Sequence, residues 1–165
     1  MKTMLLAGAI AALLPVGAFA AQLSTQDRSF IEHAAMGGLA EVQEGQLAQS
    51  KAASPQVKQF GQRMVQDHTP NNQELMTLAR QKGVTPPAAL DSTHRQEIAT
   101  LQKDSGAAFD RDYIKREVSD HQEMASLLQQ EIQSGTDPDV KAYAQKTLPV
   151  IQEHLRMAQQ LQGQG

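Results

Sequence analysis

The chain has 165 residues, with 15 lysines and arginines against 18 aspartates and glutamates, five histidines, no cysteine and no tryptophan. Its interspersed, slightly acidic charge lacks the basic face that nucleic acid demands. The missing cysteine excludes both disulfides and a lipid-modified cysteine anchor.

In chain order, Lys2, the apolar run from Leu5 to Val16 and the small-x-small triplet Ala18-Phe19-Ala20 have the form of a secretion signal cleaved after Ala20. The run is shorter than the roughly 20 residues that span a bilayer, and no later stretch is as apolar. Residues 1–20 are therefore read as a signal peptide and residues 21–165 as one exported, periplasmic domain without a transmembrane segment. That leaves about 145 residues, enough for a single core.

Helix starts and stops are legible in the rest. Ser24 and Asp27 resemble a capping box opening a first helix that runs to about Lys51. Ser54-Pro55 supplies an N-cap and a first-turn proline for a second helix, which reaches Lys82 before Gly83. Thr85-Pro86-Pro87 breaks the chain, and a short helix follows from about Asp91 to Lys103. A third long helix covers roughly Ala107 to Gln133. Asp137-Pro138 then opens a fourth that runs to about Leu161. Pro70 is expected to kink the second helix or divide it near Thr69. Gly37, Gly38 and Gly45 weaken the first helix but let a neighbour approach closely.

Each long helix carries one apolar stripe at three- and four-residue steps, with Phe30, Ala34 and Ala48 marking it in the first and Ile114, Ala125 and Leu128 in the third. No segment alternates with period two, so no strand is expected. One stripe per helix is the pattern of a four-helix bundle. The long connection from Gly83 to Gly106 favours a ferritin-like bundle, its short extra helix lying in the crossover between the second and third long helices.

Four of the five histidines fall in the long helices: His33, His68, His121 and His154. His68 lies between Met64 and Leu75, His121 between Val118 and Ala125, and His154 between Ile151 and Ala158, all on inward stripes. Glu41, between Gly38 and Gly45, points the same way, and Glu117 precedes His121 by one turn. Counted from the helix ends, His68 and His121 are level. Glu41 falls within about one turn of them and His154 within about two, or ~10 Å. His68, His121, His154 and Glu41 are thus the candidate metal ligands, an N/O set suited to zinc, copper or iron. Glu117, Met64, Met124 and Met157 are secondary candidates, the methionines because each stands about one turn from a histidine and thioethers suit Cu(I). Methionine at helical spacing is also ordinary core filler. Inward histidines can likewise form a structural polar layer. No nucleophile elbow, phosphate loop or Glu-x-x-His pair is present, so no enzyme is expected.

Three stretches carry a family resemblance: Met64-Val65-Gln66-Asp67-His68-Thr69, Gly106-Ala107-Ala108-Phe109-Asp110-Arg111-Asp112-Tyr113, and Thr147-Leu148-Pro149 with Glu153-His154-Leu155. From about Asp27 to Leu161 the chain resembles the exported bacterial family called domain of unknown function 4142, often labelled outer membrane proteins. The resemblance implies a ferritin-like four-helix fold and no particular activity. The resemblance places the family's Asp-His, helix-three His and Glu-His-Leu features on Asp67, His68, His121, Glu153 and His154. Two functional expectations follow. The first is a non-enzymatic periplasmic bundle that binds a transition metal at mid-height. The alternative is a metal-free structural or stress-related interaction module whose histidines form a buried polar layer. Nothing in the sequence names a protein partner.

Overall fold

The computed structural model describes residues 23–163, so the expected secretion signal lies outside the described residues. Five helices occupy them: α1 (Thr25–Lys51), α2 (Pro55–Gln81), α3 (Ser92–Leu101), α4 (Gly106–Ser134) and α5 (Pro138–Gln162). All but α4 are capped at the start by a side chain. The Ser24 hydroxyl accepts from the Asp27 N–H at 3.1 Å, Asp91 from His94 at 2.9 Å and Asp137 from Asp139 at 3.0 Å, each satisfying an otherwise orphaned donor of a first turn. Gly83, at φ 70°, takes the left-handed turn that ends α2.

The helices form a ring in the order α1, α2, α5, α4, and neighbours run antiparallel. At one end, the buried Asp27 near the start of α1 accepts from the Thr136 N–H at 2.8 Å and the Thr136 hydroxyl at 2.7 Å, in the turn between α4 and α5. Lys82, just past the C-terminus of α2, pairs with Asp137 there at 2.7 Å. At the other end, Asp110 accepts from the N–H groups of Ala53 and Ser54 at 3.0 and 2.8 Å. Helices α2 and α4 therefore start at the same end, and the segment containing α3 carries the chain back along the bundle.

Small residues bring α1 and α2 together. A Cβ on Gly45 would lie 2.7 Å from the Gly61 carbonyl oxygen, and one on Gly61 would lie 2.5 Å from the Ala48 Cβ. A Cβ on Gly38 would collide with the buried Asn72 side chain. Contrary to one expectation, α2 is not divided at Pro70. The proline ring is exposed and so is Gln66, whose carbonyl it deprives of a donor, so the lost bond falls on the side of the helix that water reaches. The Thr69 hydroxyl donates to the Val65 carbonyl at 2.6 Å within the same turn.

The core is layered along the bundle axis. One apolar cluster includes Phe30, Ile31, Leu75, Leu128 and Ile151; the other includes Val57, Phe60, Met64, Phe109 and Ile114. Each such fully buried side chain contributes about 1.5–3 kcal/mol. Between the two, at mid-height, lie buried polar residues from every long helix: Glu41 and Glu44 on α1, His68 and Asn72 on α2, Glu117 and His121 on α4, Thr147 and His154 on α5. Polar groups held between two apolar layers experience a low local dielectric.

Candidate metal centre

The rings of His68, His121 and His154 converge between α2, α4 and α5. Their centroids are 5.7 Å apart for His68 and His121, 5.3 Å for His68 and His154, and 5.4 Å for His121 and His154. Each offers a ring nitrogen, and these lie within 4.8 Å of one another. Counting residues had placed His154 as much as two turns away. The structure makes it level, because α5 is set in height by Asp137 and Tyr143, which pair with Lys82 and Asn71 of the opposing helix.

Two of the rings are oriented by acceptors on their outer sides. The His154 Nε2 lies 2.9 Å from the Asp67 carboxylate, and the His121 Nδ1 lies 2.9 Å from the Glu117 carbonyl oxygen. Both partners are acceptors, so each of these nitrogens carries the proton and the opposite nitrogen presents its lone pair. Those opposite atoms, His154 Nδ1 and His121 Nε2, are buried without a protein partner, as is His68 Nε2. A carboxylate or carbonyl holding the far side of a histidine is the arrangement that fixes imidazole ligands on a metal.

Burial disfavours the charged form of all three rings. It drives His68 well below its ordinary range, helped by the other two histidines. It lowers His121 to about 4 against the opposing Glu117 carbonyl, and His154 to about 4 against the opposing Asp67. The three imidazoles are neutral at pH 7, the state in which nitrogen can coordinate.

Glu41, expected as a fourth ligand beside the histidines, stands on the other side of His121. There it forms a second group with Glu117 and His121. The His121 Nδ1 is 3.3 Å from a Glu117 oxygen and 3.7 Å from a Glu41 oxygen. Burial pushes both carboxyls up, and their closeness to one another and to neighbouring acids adds to it. Glu44, buried one turn along from Glu41, accepts from Arg116 Nε at 2.9 and 2.8 Å, and Arg116 also reaches Glu97 at 2.7 Å.

Of the secondary candidates, Glu117 joins that second group, whereas the three methionines take packing positions. Met64 is fully buried in the cluster with Phe60 and Ile114, which Met157 packs against. Met124 packs against the other cluster. His33 is exposed, with its Nδ1 2.8 Å from its own Ser29 carbonyl. Glu44 and Tyr113 were not singled out by the sequence reading, although helical spacing marks both. Glu44 follows Glu41 by three, and Tyr113, Glu117 and His121 recur every four.

A shallow cleft between α2 and α5, lined by Asp67, Asn71, Lys146 and Val150, reaches His68 and His154. Among the described residues, no helix is long and apolar enough to cross a membrane.

Fold and site together define an all-helical bundle with a buried histidine and carboxyl layer capable of holding a metal. The chain belongs to the family described as domain of unknown function 4142, whose model matches residues 13–161. A comparison with curated proteins found no match. Among solved structures, the chain is similar to a DUF305 fragment from Deinococcus radiodurans, with a TM-score of 0.75 at 12% identity over 87% of this chain and 99% of that one. It is also similar to CopM in its Cu(II)-bound form, with a TM-score of 0.70 at 18% identity over 84% and 96% of the two chains. For CopM in its Ag-bound form the TM-score is 0.66 at 19% identity, over 81% and 93%. At these identities the likeness is one of fold.

Proposed function

We propose that this protein is an exported, non-enzymatic, ferritin-like bundle that binds a transition metal through His68, His121 and His154. One observation carries the reading: three buried imidazole nitrogens without protein partners face a common point. A purely structural polar layer would pair those atoms with one another or with neighbouring acceptors, since a buried unsatisfied nitrogen costs about 1–3 kcal/mol. Contraction to metal–nitrogen bonds of about 2.0–2.1 Å needs only side-chain movement. Three imidazoles without thiolate suit Cu(II) or Zn(II), and the likeness to CopM in its Cu(II)- and Ag-bound forms favours copper. The depth of the site, with His121 and His154 each 1% exposed, suits holding an ion better than turning over a substrate.

Metal analysis of untagged protein from the cell envelope tests this, together with thermal unfolding with and without Cu²⁺ or Zn²⁺. A metal at one hundred times its Kd should stabilise the fold by about 2.7 kcal/mol, and the share of the gain that comes from the trihistidine site should be lost in a His68→Ala/His154→Ala variant. Absence of bound metal together with no shift in the wild type would refute the proposal.

A further inference from the structure

We infer that Glu41, Glu117 and the Nδ1 side of His121 form a second divalent-cation site, separated from the trihistidine site by the thickness of one imidazole ring. The inference extends the metal-binding reading above and shares His121 with it. Geometry carries it: a ligand oxygen from each carboxyl and the His121 nitrogen lie within 4.8 Å of one another. Glu41 is 8% exposed and Glu117 1%.

The group is short of partners in a way a finished structural network is not. Glu41 Oε2 and both Glu117 oxygens are buried without a hydrogen bond of normal geometry, and so is the hydroxyl of Tyr113, one turn before Glu117 and fully buried. Arg116, the nearby cation, is directed to Glu44, Glu97 and Asp120 instead. One oxygen from each carboxyl and the His121 nitrogen therefore lie together, with Arg116 directed to other carboxylates. Oxygen-rich donor sets of this kind take divalent ions such as Zn²⁺, Mn²⁺ or Fe²⁺.

An approach route exists as well. A groove between α1, α3 and α4 is lined by Glu32, Glu97, Asp120 and Glu123, with Arg116 beside them, and it reaches Glu41. Acidic walls of this kind concentrate cations at a cleft. The second site thus opens on a different face from the α2–α5 cleft that reaches His68 and His154.

Stoichiometry decides the matter. Zn²⁺ is titrated into the full-length exported chain, and bound zinc per chain is counted after dialysis, with far-ultraviolet circular dichroism checking the fold of each variant. Two zinc ions are expected in the wild type and one in Glu41→Gln/Glu117→Gln, whose amides keep the size of the carboxyls. One is also expected in His68→Ala/His154→Ala. If the double glutamine variant does not fold, Glu117→Gln alone is read in its place, with the same loss of one ion. A wild type that binds a single zinc, lost with His68 and His154, overturns this inference and leaves the trihistidine site standing. A wild type that binds none overturns both. Two ions retained in the glutamine variant would place the second cation elsewhere and also overturn it.

Discussion

His121 divides the buried layer into two halves of equal depth and opposite chemistry. On its Nε2 side, His68 and His154 present nitrogens without protein partners; on its Nδ1 side lie Glu41 and Glu117. Burial drives both halves toward neutrality, but that means different things for the two residue types. For histidine the neutral form is the ligand, so the imidazole half is ready for a metal as it stands. For glutamate the neutral form is the acid, so the carboxyl half must first lose a proton. The same desolvation prepares one half and restrains the other.

Three variants would break or sharpen this contrast. The largest effect is expected from Arg116→Met, which leaves Glu44, 2% exposed, without the guanidinium nitrogen that donates to both its oxygens. Burial already raises Glu44 to about 8, so at pH 7 it takes up a proton rather than standing as a bare charge, and the lost hydrogen bonds cost about 1–3 kcal/mol, measurable as a lowered urea midpoint at pH 7. A loss under about 1 kcal/mol would show that the carboxyl half does not lean on this arginine.

Asp67→Ala should come next. It removes the acceptor on the outer side of His154 and frees that ring to turn or to change tautomer. Loss of such an orienting partner weakens metal binding 10–100-fold, about 1.4–2.7 kcal/mol. A competition titration with a zinc chelator would read it, and an unchanged Kd would mean that packing alone orients the ring.

The smallest effect lies in the pH profile of the metal-free protein. The histidines are lowered in the fold, His121 and His154 to about 4. The unfolded chain therefore binds more protons than the native one as pH falls below about 6.5, and stability drops. Glu41 and Glu117 are raised, so over the range down to about 4.5 the native state binds more protons and gains stability on acidification. The two slopes oppose each other. Glu41→Gln/Glu117→Gln removes the second, so its stability should fall more steeply between pH 6.5 and 4.5. The excess is at most about 1.4 kcal/mol per pH unit for each proton no longer taken up. Parallel profiles for the variant and the wild type would show that the carboxyls are not protonated in the fold.

Much of this was written locally in the chain. Ser24, Ser54, Asp91 and Asp137 cap the helices they precede, because capping depends on residues only two or three apart. The inward phase of His68, His121, His154, Glu41 and Glu117 also followed from helical spacing, and all five are buried. Gly38 and Gly45 marked a close helix approach for the same reason: an absent side chain is visible without knowing the neighbour. The unbroken course of α2 through Pro70 was less visible, since it depends on that carbonyl turning to water.

The sequence by itself determined the helices, their caps, their buried faces and the residue types that meet at mid-height, all properties of spacing along one chain. Only the tertiary structure decided which of those residues share a site. Register between helices is set by contacts distant in sequence, Lys82 with Asp137, Asp27 with Thr136 and Asn71 with Tyr143. Those contacts brought His154 level with His68 and His121. They also placed Glu41 across the ring from them, where one imidazole separates nitrogen donors from oxygen donors.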